Sequence, residues 1–117
     1  MIYLYSYGTR IKARPPGPCY ALDVRGIDNP HRPGRSETAK RELVAQHPLF
    51  PDAVARIIEY GGSQLSAAAY CTWGRHRSVT VIDYAARGLQ VLGYDVYVEH
   101  LGRGMVYELK GVKRIRD

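Results

Sequence analysis

Residues 64–93 read QLSAAAYCTWGRHRSVTVIDYAARGLQVLG, and the stretch changes period halfway along. Its first part, through Cys71, is a short apolar run that reads as a strand buried in a sheet. From about Arg77 the apolar residues Val79, Ile82, Ala85, Ala86, Leu89 and Leu92 recur at helical spacing, with Gly93 as the cap. Strand, tight polar loop and helix is the repeating unit of an α/β domain. The flanking sequence fits this order. IYLYSYG (2–8) alternates as an opening strand that Gly8 ends. TRIKARPPGPC (9–19) is a loop, since its prolines continue neither strand nor helix. YALDVRG (20–26) is a second strand, followed by the polar, Pro-rich GIDNPHRPGR (26–35), long enough for a binding loop.

Ser36, with Ala39 and Leu43, opens a helix that runs to about Gln46. Pro51 starts another, with Val54, Ile57 and Ile58 on one face and Gly61-Gly62 as its stop. YDVYVEH (94–100) alternates as a strand, and LGRG (101–104) turns it into MVYEL (105–109) as a hairpin partner. The fold expected is therefore α/β in two or three layers: a mostly parallel sheet with flanking helices and a phosphate-binding loop between a central strand and a helix.

With 117 residues the chain forms one domain, 1–117, whose last eight residues, 110–117, make a basic tail. No apolar run of about 18 residues suggests a membrane span, and the first ten residues do not read as a signal peptide. Cys19 and Cys71 are too few for a disulfide framework and read as free thiols in a reducing cytoplasm. No His/Cys cluster has metal-ligand spacing, so neither a metal nor another cofactor is expected. A homo-oligomer is the expected assembly. The net charge is +6, and Arg10, Arg14, Arg25, Arg32, Arg35, Arg75 and Arg77 fall in or beside loops. Arginine suits bidentate contacts with phosphate or carboxylate, so the charge reads either as plain solubility through scattered charge or, more sharply, as a sign of anionic small molecules or nucleic acid as partners.

CTWGRHRS (71–78) is where that charge meets a helix start. The first N–H groups of a helix lack intrahelical partners, and its dipole favours an anion there. Gly74 lets the backbone curl, while Arg77 and Ser78 offer a fork and a hydroxyl to anionic oxygens. The pattern lacks G-x-x-x-x-G-K-[ST], so an ATP-type phosphate loop is not indicated. Cys71, Gly74, Arg77 and Ser78 also spell C-x-x-G-x-x-R-S, which resembles the loop of cysteine-dependent phosphatases. There the thiolate attacks phosphorus and the arginine holds the oxygens. Asp23, Asp28 and Asp52 are the candidates for the general acid that such a reaction needs. A buried cysteine ending a strand is the plainer reading of Cys71.

A second resemblance draws on more of the chain. YSYG (5–8), LDVRGIDNPH (22–31), RPG (32–34), CTWGRHRSV (71–79) and a late V-x-x-x-H ending at His100 occur in one order. Together they resemble the C-terminal domain of the RapZ family, bacterial RNase adapter proteins, with the signature D-V-R-x-x-x-N-P-H followed by C-T-G-G-x-H-R-S-V. The resemblance implies a non-catalytic module that binds glucosamine-6-phosphate and a small regulatory RNA and passes the RNA to an endoribonuclease. Asp23, Arg25, Asn29 and His31 would line one wall of the pocket, and Thr72, Trp73, Gly74, His76, Arg77 and Ser78 the phosphate side. Trp73 stands where the signature has glycine, and the family's nucleotide-binding domain is not expected in these 117 residues. Lys110, Lys113, Arg114 and Arg116 in the tail are the candidates for RNA contact. Tyr3, Tyr5, Tyr7, Tyr94 and Tyr97 read as half-buried sheet surface rather than a platform for bases.

Overall fold

The strand that opens the chain becomes the middle of the sheet. A computed structural model describes residues 1–113, so the tail's Arg114 and Arg116 lie outside the described residues. β1 (Ile2–Gly8) pairs in parallel with β3 (Ser66–Cys71) on one side and with β4 (Val96–His100) on the other. β2 (Tyr20–Asp23) adds in parallel to the far side of β3, and β5 (Met105–Leu109) returns antiparallel along β4. The order is β2-β3-β1-β4-β5, an α/β fold with a mostly parallel five-stranded sheet. The three helices are α1 (Glu37–Gln46), α2 (Phe50–Gln64) and α3 (Arg77–Val91).

Strand alternation decides which side the helices cover. Ile2, Leu4, Ala67, Ala69, Cys71, Val96 and Val98 point one way and are buried against α2 and α3, which lie side by side. Tyr3, Tyr5, Tyr7, Tyr70 and Tyr97 point to the opposite, helix-free side, where Tyr3 and Tyr97 pack 5.5 Å apart and Tyr7 and Tyr70 5.3 Å apart. The arrangement is thus two-layered. Tyr94 stands apart from that face, exposed just before β4.

Local chemistry sets most element ends where the sequence indicates. The Ser36 Oγ accepts from the Ala39 N–H at 3.1 Å and caps α1. Pro51 sits in the first turn of α2, where its missing N–H costs nothing. The expected stop at Gly61-Gly62 does not occur: α2 continues to Gln64 and ends with Leu65 in the left-handed region at φ 66°. Packing explains the difference. A Cβ on Gly61 would stand 3.3 Å from both Leu4 and Leu89, so this glycine lets α2 approach the sheet and α3 closely. Among the described residues no helix is long and apolar enough to cross a membrane.

Candidate functional site

All four parallel strands deliver their carboxyl ends, Gly8, Asp23, Cys71 and His100, to one edge of the sheet. In open α/β sheets that edge is where ligands bind. A cavity of about 360 Å³ opens there, lined by Asn29, His31, Cys71, Trp73, Arg75, His76 and Arg77. Two arginines and two histidines stand among these residues and no carboxylate does, so the cavity favours an anion.

The loop Thr72–His76 is held by backbone packed on backbone. Gly74 adopts φ 69°, and a Cβ there would meet the Gly8 nitrogen and the Tyr7 carbonyl carbon at 2.7 Å each. Gly8 and Gly102 press on the same loop: their Cβ atoms would reach 2.3 Å from the Trp73 carbonyl carbon and 2.5 Å from the Gly74 oxygen. The Thr9 and Arg10 N–H groups donate to the Cys71 and Thr72 carbonyls at 2.9 Å, continuing the β1–β3 ladder into the loop. α3 then begins at Arg77 with no side-chain cap and no acidic residue in its first turn. Apart from the Ser78 N–H, which faces the Cys71 sulfur, its early N–H groups have no side-chain cap and are left for a ligand or for water.

Among the site residues singled out in the sequence, Asn29, His31, Cys71, Trp73, His76 and Arg77 line the cavity. The Asn29 Oδ1 accepts from the His31 N–H at 3.1 Å, which turns the chain at Pro30. The Arg77 Nη1 donates to the carbonyls of Arg25 (3.1 Å) and Ile27 (3.2 Å), and its Nη2 to the Thr72 Oγ1 (3.3 Å). This one guanidinium ties the loop after β2 to the loop after β3. Asp23 and Arg25 are not among the lining residues; they form a bidentate pair at 2.7 and 2.9 Å, with Arg25 over the Tyr70 ring. Hydrogen bonds from the Arg25 side chain, against a smaller burial effect, hold the Asp23 carboxyl below its usual range.

Ser78 is buried and faces away from solvent, its Oγ 3.2 Å from the Cys71 Sγ and 3.4 Å from the Tyr7 carbonyl. Burial pushes the Cys71 thiol up. Hydrogen bonds from the Ser78 hydroxyl and from the Ser78 and Gly74 N–H groups, with Arg77 nearby, outweigh that and bring it below its ordinary value. None of the three candidate acids lines the cavity: Asp23 pairs with Arg25, Asp52 with Arg56 at 3.0 Å, and Asp28 stands 3.8 Å from His47. Lys110 and Lys113 sit beyond the far end of β5, which pairs with the start of β4, so they are at the opposite sheet edge from the cavity.

The sequence reading missed Glu37 and Arg103, and it named Arg75 only among the loop arginines, not as a pocket residue. The Glu37 Oε2 meets the His76 Nε2 at 3.1 Å and the Arg103 Nη2 at 2.9 Å, while its Oε1 accepts from Lys40 at 3.3 Å. The Arg103 Nε donates to the Arg75 carbonyl at 2.7 Å, so Glu37 and Arg103 brace the loop from outside. Burial, with Arg103 and Lys40 beside it, lowers the His76 pKa despite Glu37. Arg103 above all, then Lys40 and His76, hold the Glu37 carboxyl at about 2, below its ordinary 4.5. A depressed folded-state pKa stabilises above the unfolded value, and that contribution disappears as pH falls through the folded one. Glu37→Gln is therefore expected to melt below the parent near neutral pH, with the gap closing between pH 4.5 and 2. Melting curves across that range check it, and a constant gap contradicts the ionic role.

Beneath the loop lies a serine, a histidine and an aspartate with no access to the cavity. The Ser6 Oγ is 2.6 Å from the His100 Nδ1, and the His100 Nε2 is 2.7 Å from the Asp83 Oδ1. Asp83 also accepts from Arg41 at 3.1 Å and from the Tyr107 hydroxyl. Ser6 and His100 are 0% exposed, so these residue types brace the end of β4 instead of forming a nucleophile.

The sequence profile of the RapZ C-terminal domain matches residues 34–103. The chain belongs to the RapZ C-terminal domain family. That match takes in the loop after β3 and the whole of α3; the Asp23–His31 stretch precedes it. Similar curated proteins carry the name nucleotide-binding protein. One from Trichlorobacter lovleyi is 34% identical over 96 positions, covering 68% of this chain and 34% of its own length. One from Carboxydothermus hydrogenoformans is 30% identical over 93 positions, covering 73% of this chain and 31% of its own. A third, from Solibacter usitatus, is 33% identical over 117 positions, covering 86% and 36%. The chain thus spans about a third of the length of the relatives it matches.

Proposed function

We propose that this chain is a binding and regulatory module for a phosphorylated small molecule, an amino-sugar phosphate such as glucosamine-6-phosphate being the leading candidate. The observation that carries the reading is the cavity at the start of α3, where the Arg75 and Arg77 charges, with His31 and His76 as hydrogen-bonding groups, meet a loop clamped by glycines. The phosphate sits against the loop and the first turn of α3, and Asn29 and His31 face the rest of the ligand. Calorimetric titration tests this. Glucosamine-6-phosphate and inorganic phosphate should bind and glucosamine should not. Equal binding of glucosamine and its phosphate would remove the phosphate from the account.

The lowered Cys71 thiol supports a second reading, phosphate-ester hydrolysis. In that step the Cys71 thiolate forms an S–P bond as the P–O ester bond breaks, the leaving alkoxide takes a proton, and water then releases inorganic phosphate. No carboxylate lines the cavity and burial disfavours a protonated His76, so only His31 is left to supply the proton, which favours binding over turnover. Turnover of an aryl phosphate that Cys71→Ser abolishes would reverse that order.

RNA contact is proposed as a separate, electrostatic function of the tail. Deleting residues 110–117 should weaken RNA binding, which we expect to be about micromolar or weaker at physiological salt. Ligand binding should be unchanged, because Lys110 and Lys113 lie across the sheet from the cavity. Filter binding at several salt concentrations reads this out; an affinity indifferent to salt or to the deletion contradicts it.

A further inference from the structure

Trp73 is the one tryptophan of the chain, and it lines the cavity while remaining 54% exposed. Its backbone has no freedom to follow a moving ring. A Cβ on Gly8 would stand 2.3 Å from its carbonyl carbon, and one on Gly102 would stand 2.8 Å from its oxygen. The indole is therefore presented from a fixed base with only its own side-chain rotations. Two other exposed rings rest on a neighbour: Tyr3 packs on Tyr97 at 5.5 Å, and Tyr84 meets Phe50 edge-on at 5.0 Å; Tyr94 is exposed too, but lies away from the cavity. Among the described residues no aromatic ring pairs with Trp73 in this way. The cavity beside it, about 360 Å³, is also much larger than a phosphate group needs.

We propose that Trp73 is the platform on which the non-phosphate part of the ligand stacks, and that this part is a ring with a flat apolar face, a pyranose or a nucleobase. The inference rests on the phosphate-binding reading and narrows its ligand class. Arg75, His76 and Arg77 follow Trp73 within the same loop and helix start, so one short segment supplies both the cationic end of the site and the aromatic one. With the backbone already fixed, only the side-chain torsions of the indole are lost on stacking, and a rigid, flat partner repays that cost best. A flexible aliphatic phosphate gains little from it.

The full chain provides its own reporter, since all tryptophan emission comes from Trp73. Inorganic phosphate, glucose-6-phosphate and adenosine monophosphate are titrated by fluorescence and calorimetry against the parent, Trp73→Phe and Trp73→Ala. A ring-bearing phosphate is expected to change the emission and to bind roughly tenfold more tightly than inorganic phosphate, in the range of stacking on an aromatic side chain. Trp73→Ala should bring the ratio of ring-phosphate to inorganic-phosphate affinity, read within each variant, down toward one, and Trp73→Phe should keep much of that ratio. A response to glucose-6-phosphate alone identifies the ring as a sugar, and one to adenosine monophosphate alone identifies a base. Ring phosphates that bind no better than inorganic phosphate, or an advantage that survives Trp73→Ala, overturn the proposal. Should inorganic phosphate fail to bind while adenosine or glucosamine still perturbs Trp73, the phosphate reading falls and the platform stands. An emission unmoved by every ring compound overturns the platform itself.

Discussion

Replacing Arg77 with alanine is expected to lower the affinity for inorganic phosphate roughly a hundredfold, the loss of about 3 kcal/mol that charge-assisted hydrogen bonds to a phosphate supply. Two effects combine in that number. Arg77 stands at the first position of α3 and lines the cavity, so its charge adds to that of the helix start. It also holds the walls together, because its guanidinium donates to the Arg25 and Ile27 carbonyls and to Thr72 across the cleft. Denaturant unfolding should accordingly show the alanine variant less stable by about 1–3 kcal/mol even without ligand. Arg77→Lys separates the two. A point charge cannot reproduce the fork that spans both loops, so lysine should recover part of the phosphate affinity and little of the stability. An alanine variant that binds phosphate like the parent would sink the site assignment.

The second large effect is expected at Gly74. Alanine there must hold φ near 69°, at a cost of about 1 kcal/mol, and must fit a Cβ where the Gly8 nitrogen and the Tyr7 carbonyl carbon would be 2.7 Å away. Neither obstacle is a side chain that can swing aside. Overpacking against backbone belongs at the upper end of its usual range, about 3 kcal/mol, which is a large share of a small domain's stability. Phosphate binding should be lost with the loop's shape. Gly34 is the control: it has φ 80°, but a Cβ there would meet nothing within 4 Å, so Gly34→Ala should cost only the conformational part. Urea denaturation of both variants decides the matter. Equal costs would mean that close packing does not set the loop.

These expectations depend on features of unequal visibility in the sequence. The β3–loop–α3 unit was legible because its information is local: a change of period, a glycine in the loop and a cluster of cations at a helix start. The Ser36 cap and the first-turn Pro51 are likewise decided within a few residues. Gly61-Gly62 misleads for the opposite reason. Its role is set by Ile2, Leu4 and Leu89, distant in the chain, which require a helix without a side chain at that point. Glu37 was invisible in the same way, since its partner Arg103 is 66 residues away and neither residue sits in a motif. The placement of all three helices on one side of the sheet is also non-local. Periodicity gives each helix an apolar face without saying which sheet surface receives it. The alternating tyrosines of β1 did announce a half-buried surface, and they occupy the helix-free side.

Backbone amide chemical shifts followed during a titration with inorganic phosphate test the central claim most directly, because they locate the anion without any substitution. The account predicts the largest changes at the N–H groups of Trp73, Gly74, Arg75, His76 and Arg77 and at the Arg77 Nε. Smaller ones should appear at Asn29 and His31, and none at Lys110 or Lys113 across the sheet. Changes concentrated at the β5 end, or none anywhere at millimolar phosphate, would contradict it.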